Sequence, residues 1–126
     1  MFKNKGWYGF DLDCTLAFYD HWRGETHIGE PIVRMVEKVK ELIAEGHEVK
    51  IFTARVAEAE KNKDDSIHDV AIVIKTIEEW CEKHIGQKLP VTNKKDFGMI
   101  ALYDDRAVQV LPNQGLEVEA LGGQTR

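Results

Sequence analysis

The sequence predicts a three-layer α/β sandwich with a central, mainly parallel, Rossmann-like sheet and no cap domain. Three observations carry that expectation. Short apolar runs alternate with longer segments whose apolar residues recur at helical spacing along the 126-residue chain. The order strand, helix, strand, helix, strand is the pattern of a parallel sheet with right-handed crossovers. Acidic and hydroxyl side chains gather at the carboxyl ends of those runs, where open α/β sheets bind their ligands.

Taken in order, "WYGFDL" (Trp7 to Leu12) reads as a short buried strand. Pro31 opens a helix in which Ile32, Val33, Val36, Val39, Leu42 and Ile43 form one stripe, and Gly46 stops it. "HEVKIFTAR" supplies the second strand, Glu48 to Thr53. The polar segment "VAEAEKNKDD" reads as a mobile 56–65 loop leading to Ser66 as N-cap. The helix that follows runs to about Ile85, with Ile67, Val70, Ala71, Ile74, Ile77 and Cys81 on its inner face. Trp80 lies off that stripe, which predicts cover for a neighbouring element or a subunit contact. "LPVTN" is a short strand, "MIALYDD" a clear one, and "VQVLP" a fifth candidate. Residues 1–112 therefore form one domain, and 113–126, poor in apolar residues, a tail.

With 43% hydrophobic and 31% charged residues, the composition suits a soluble globular protein. A formal charge of -5 disfavours a general nucleic-acid coat. No apolar run approaches the roughly 20 residues needed to span a bilayer, so no membrane partner is expected. The N-terminal "MFKNKGWYGF" has no long apolar segment of a secretory signal. Cys14 and Cys81 make no disulfide framework, which points to a reducing, cytoplasmic setting.

Asp11 and Asp13 sit two residues apart at the end of the first strand. Thr53 and Arg55 close the second, and Asp104 and Asp105 end "MIALYDD", with Lys94 and Lys95 in the loop before it. Crowded carboxylates repel one another. A hard divalent cation such as Mg2+, completed by water and phosphate oxygens, resolves that repulsion. Thr53, Lys95 and Arg55 add donors for an anionic transition state, so the set suits phosphoryl transfer.

These residues carry a resemblance. "DLDCT" resembles motif I of the haloacid dehalogenase-like superfamily, Asp-x-Asp-x-Thr after the first strand. "KIFTAR" is similar to its motif II, Lys95 to motif III and "ALYDDRA" to motif IV in an Asp-Asp-Arg form. The order holds across residues 7–110. The Asp-Asp-Arg form and the "TAR" also resemble the 3′-phosphatase domain of polynucleotide kinase-phosphatases, and the overall match is to small hydrolases of bacteria and phages.

The resemblance implies a Mg2+-dependent phosphomonoesterase working through an aspartyl-phosphate. Asp11 would be nucleophile and metal ligand. Asp13 would exchange the leaving-group proton and touch the metal through its backbone. Thr53 would bond the phosphoryl group, and Lys95, with Lys94 as the alternative, would neutralise charge. Asp105 would ligate the metal with Asp104 as auxiliary acid. Cys14, Thr15, Ala54, Arg55 and Arg23 are the candidate substrate contacts. Many relatives have Gly at the place of Cys14, which is read here as a small packed residue and not a nucleophile. Arg106 is read as structural, and His21 and His27 as polar loop residues without zinc spacing. The segment "AFYDHWRGETHIGE" is too short for the separate cap of many relatives, which leaves an open site closed by this flap, by the 56–65 loop or by a second subunit of a homo-oligomer. The expected substrate is a nucleotide, a sugar phosphate or a phosphorylated nucleic-acid end. Two rivals are a catalytically weak binding module and a receiver-like phosphoacceptor domain. The receiver needs an Asp where this chain has Thr53.

Overall fold

A computed structural model describes residues 6–61 and 69–118. The elements run β1 (Trp7–Phe10), α1 (Val33–Ala44), β2 (Glu48–Phe52), α2 (Ala54–Lys61), α3 (Val70–His84), β3 (Val91–Thr92) and β4 (Met99–Tyr103). The four strands form one sheet in the order β3-β2-β1-β4, every pair parallel. Three helices flank it and no cap is present among the described residues, so the architecture is a Rossmann-like α/β sandwich.

Registers Tyr8↔Val49 and Phe10↔Ile51 put alternate residues on one face. Phe10 and Ile51 there are fully buried against Val39 and Leu42 of α1 and Ile77 and Cys81 of α3. Helix α1 ends as the sequence predicts. Gly46 takes φ 89°, its N–H bonds Ile43 O, and His47 N–H reaches Leu42 O, the pattern of a Schellman stop. Its start differs: Ile32 occupies the N-cap and Pro31 lies outside, bridged to Ala17.

The other sheet face, around Trp7 and Lys50, is crossed by a strap. Because β4 lies beyond β1, the connection after β3 must pass three strand spacings, about 14 Å, using only residues 93–98. The Trp7 indole N–H donates to Asp96 Oδ1 at 2.9 Å and its backbone N–H to Gly98 O at 2.8 Å. Lys50 Nζ sits 4.6 Å from the centre of the Trp7 ring. The indole bond, followed by the Gly98 N–H, holds the Asp96 carboxyl below its ordinary pKa.

Several boundaries and one loop depart from expectation. Residues 54–61 are helix α2, not loop; Val56 and Ala59 bury on its inner side, and Ala and Glu are strong helix formers. Residues 62–65 and Ser66 lie outside the described residues. Asp69 caps α3 instead, accepting from Ala71 N–H at 2.7 Å. "VQVLP" adds no fifth strand. A parallel addition needs a crossover of a dozen or more residues, and few separate it from β4. Val110 pairs antiparallel with Glu117, so the start of the tail folds back as a small turn; residues 119–126 lie outside the described set.

The segment after β1 forms a flap with a closed base. Phe18 N–H bonds Glu30 O at 2.8 Å and Ile32 N–H bonds Leu16 O at 2.7 Å. Gly29 lies so close to the Phe18 backbone that a Cβ has no room. Trp80, buried on α3, donates its indole N–H to Gly29 O at 3.0 Å, so this side chain covers a neighbouring element.

Candidate functional site

The turn after β1 is wound around one carbonyl: Leu12 O accepts from the N–H groups of Thr15, Leu16 and Ala17. Cys14 takes φ 73°, a left-handed conformation that costs a non-glycine residue roughly 1–2 kcal/mol. It is exposed instead of packed, which corrects the expectation drawn from sequence. Slight burial and the Asp105, Asp13 and Asp11 carboxylates raise its thiol pKa, so it remains a thiol at neutral pH. Its position explains why glycine would be at ease there.

Asp11 and Asp13 face different environments. One carboxylate oxygen each from Asp11, Asp104 and Asp105 lies within 4.8 Å of the others. Burial first, then Asp104 and Asp105, push the Asp11 pKa from 3.8 to about 7. Thr15 is buried, and its hydroxyl makes a long bond of 3.4 Å to Asp11 Oδ2, so it contacts the nucleophile candidate directly. Asp104 Oδ1 also accepts the Arg106 N–H at 2.7 Å, which fixes the β4 turn, while the Arg106 side chain is exposed.

Asp13 pairs with Arg55. The guanidinium donates Nε to Asp13 Oδ2 at 2.8 Å and Nη2 to Oδ1 at 2.9 Å, a bidentate fork. Arg55 is 7% exposed, and its Nη1 has no acceptor among the described residues. Trp22 of the flap covers it, with Cζ 5.1 Å from the ring centre. Thr53 is buried where β2 passes into α2, and its hydroxyl oxygen accepts the Arg55 N–H at 3.1 Å. That bond caps α2 and leaves the hydroxyl proton available to a ligand.

The remaining candidates divide. Ala54 opens α2 and lines a pocket of about 380 Å³ with Asp13, Arg55 and Trp22. Cys14 and Thr15 line a second cavity of about 450 Å³ with Asp104 and Asp105. Arg23 is tied within its own loop, with Nη2 3.0 Å from Asp20 Oδ1 and Nε donating to His21 at 3.0 Å. Lys94 and Lys95 are exposed, and neither ammonium is ion-paired among the described residues, so the lysine expected beside Asp11 does not neutralise it in this arrangement. Sequence reasoning missed the depth of Arg55 and its Trp22 cover. The available signal was an arginine two residues after Thr53, at the second position of a helix hidden by polar composition.

No protein-family model matches the chain, and neither does any curated protein. Among solved structures, a conserved protein from Bacteroides thetaiotaomicron is similar, with 22% identity, a TM-score of 0.55, and 87% of this chain and 84% of that chain covered. The likeness supports the fold. Among the described residues, no helix is long and apolar enough to cross a membrane.

Proposed function

We propose that this chain is a Mg2+-dependent phosphohydrolase of the haloacid dehalogenase-like superfamily, acting in the cytoplasm on phosphomonoesters through an aspartyl-phosphate on Asp11. The convergence of Asp11, Asp104 and Asp105 within 4.8 Å is the observation that supports it most. Three hard oxygen donors, one of them pushed to a pKa of about 7, suit a hard divalent cation. Asp11, Asp104 and Asp105 would hold the ion, which when bound offsets carboxylate repulsion and draws charge from the phosphoryl oxygens.

The chain's own residues then divide the reaction. An Asp11 oxygen attacks phosphorus, and the bond to the leaving oxygen breaks. Asp13 gives that oxygen a proton, then takes one from the water that cleaves the phosphorus–Asp11 bond. Both Asp13 oxygens accept from Arg55, so proton delivery requires one of them to leave the guanidinium. Thr53 directs its hydroxyl proton to the phosphoryl group while Arg55 N–H holds its oxygen.

The test is hydrolysis of an aryl phosphate. Turnover should stop in excess chelator, return with Mg2+ and return poorly with Ca2+, whose longer bonds and looser geometry misplace the phosphoryl group. Turnover unchanged in chelator rules the site out. Absence of turnover with Mg2+ across aryl, alkyl and nucleoside phosphates leaves a binding module.

A further inference from the structure

We infer that the pocket between the flap and α2 is the leaving-group subsite and takes a planar, uncharged heterocycle of the nucleobase class. Its role as a leaving-group subsite rests on the phosphohydrolase reading; the identity of its occupant does not.

Position gives the first argument. Asp13 and Arg55 form part of the pocket wall, so the space opens directly beside the carboxylate assigned to the leaving oxygen. At about 380 Å³ it lies within the range of small-molecule sites. The walls give the second. Trp22 and Tyr19 offer aromatic surface from the flap, and Ala59 and Val73, both buried, make an apolar floor from α2 and α3. Trp22 is 49% exposed, so its ring still has face to offer a ligand beside the Arg55 guanidinium that it covers.

Hydrogen bonding gives the third. Arg55 spends Nε and Nη2 on Asp13 and leaves Nη1 buried without an acceptor among the described residues. A buried donor of that kind is costly to leave unmade. A ring nitrogen or carbonyl entering beside Trp22, with that half-exposed side chain shifting to admit it, supplies the missing acceptor and stacks on the indole. A nucleoside carrying a single phosphate fits all three conditions.

Two measurements on the full chain test this. The first is calorimetric binding of adenosine, cytidine and free ribose without any phosphate. The nucleosides should bind and ribose should not. Trp22→Ala should weaken nucleoside binding by roughly 5- to 150-fold, the scale of one base–aromatic stack, and Trp22→Tyr should restore most of it. Thermal melts of both variants check that they fold. Nucleosides binding no better than ribose, or binding unaffected by Trp22→Ala, overturns the inference. The second is Mg2+-dependent hydrolysis of a nucleoside monophosphate against glycerol phosphate. Trp22→Ala should raise KM for the nucleotide alone; an equal loss for both overturns the subsite. Nucleoside binding without hydrolysis of either ester removes the phosphohydrolase reading and the leaving-group role with it, while the occupant stands.

Discussion

Asp11 and Asp13 are separated by one residue, yet the fold puts them under opposite electrostatic control. Asp11 faces Asp104 and Asp105, and burial with those neighbours lifts its pKa to about 7. Asp13 faces a buried guanidinium that meets both of its oxygens. One carboxylate is left short of a cation and the other already has one. On the proposed reading a cation is attracted to Asp11, where the chain supplies none of its own, whereas Asp13 must free an oxygen from Arg55 before it passes a proton. Asp11 lies just before the turn wound on Leu12 O and Asp13 within it, and the two side chains meet different partners.

Asp11→Asn removes the carboxylate that has no cation beside it. With no acceptor for the phosphoryl group, turnover should fall by more than about 10³-fold for every leaving group. The metal-free variant should melt higher, because one repelling carboxylate is gone. Full activity in Asp11→Asn would remove the nucleophile from the mechanism.

Asp13→Asn should act more selectively. An alkyl phosphate needs its leaving oxygen protonated, so its cleavage should slow by about 10²–10⁴-fold, the usual contribution of general acid catalysis. An activated aryl phosphate departs with little help and should lose less in the first step, while its aspartyl-phosphate persists longer. Single-turnover kinetics on both esters separates the steps. Equal slowing of the first step for both reduces Asp13 to a structural partner of Arg55.

Arg55→Met tests the pair from its other side. Removing the guanidinium leaves Asp13, whose side chain is 22% exposed, without the fork that occupies both oxygens. Breaking a largely buried pair costs about 3–5 kcal/mol; the partial exposure of Asp13 brings the expected loss to about 2–3 kcal/mol. The double variant Asp13→Asn/Arg55→Met should recover part of it, and the coupling energy from denaturant melts measures the pair. Strict additivity of the two single losses would mean that the fork contributes nothing of its own.

The sequence carried the acidic side of this comparison more fully than the paired side. Strand-end position follows from short apolar runs, so the sequence pattern alone brings Asp11 and Asp104–Asp105 to one sheet edge. Gly46 as a stop and "LPVTN" as a strand followed from equally local chemistry. Arg55 could not be placed inward, because "VAEAEKNKDD" buries only Val56 and Ala59 within the described residues and its polar letters outweigh that signal. Trp7 on Asp96 and Trp80 on Gly29 are bonds between residues 89 and 51 positions apart. No local pattern encodes such pairs; they exist only once the strap and the flap are in place.

The smallest expected effect is also the most direct reading of Asp11. In the unfolded chain its pKa is about 3.9, and in the metal-free fold it is about 7. Between those values the folded state holds a proton that the unfolded state has released. Stability therefore falls as pH rises through that window: the contribution is intact below about pH 4 and lost above about pH 7. The proton belongs partly to the cluster, since Asp104 and Asp105 interact with Asp11. With solvent access taken into account, the swing should be about 1–3 kcal/mol. Other carboxylates titrate in the same range, among them Asp96, whose lowered pKa acts in the opposite sense. The informative quantity is thus the difference between wild type and Asp11→Asn in chelator, melted at intervals from pH 4 to pH 8. The wild type should lose ground to the variant steadily across that range. Saturating Mg2+ should flatten the wild-type curve, because the cation takes the place of the proton among the three carboxylates. Parallel curves for the two proteins in chelator would mean that Asp11 is not held under the strain its neighbours impose.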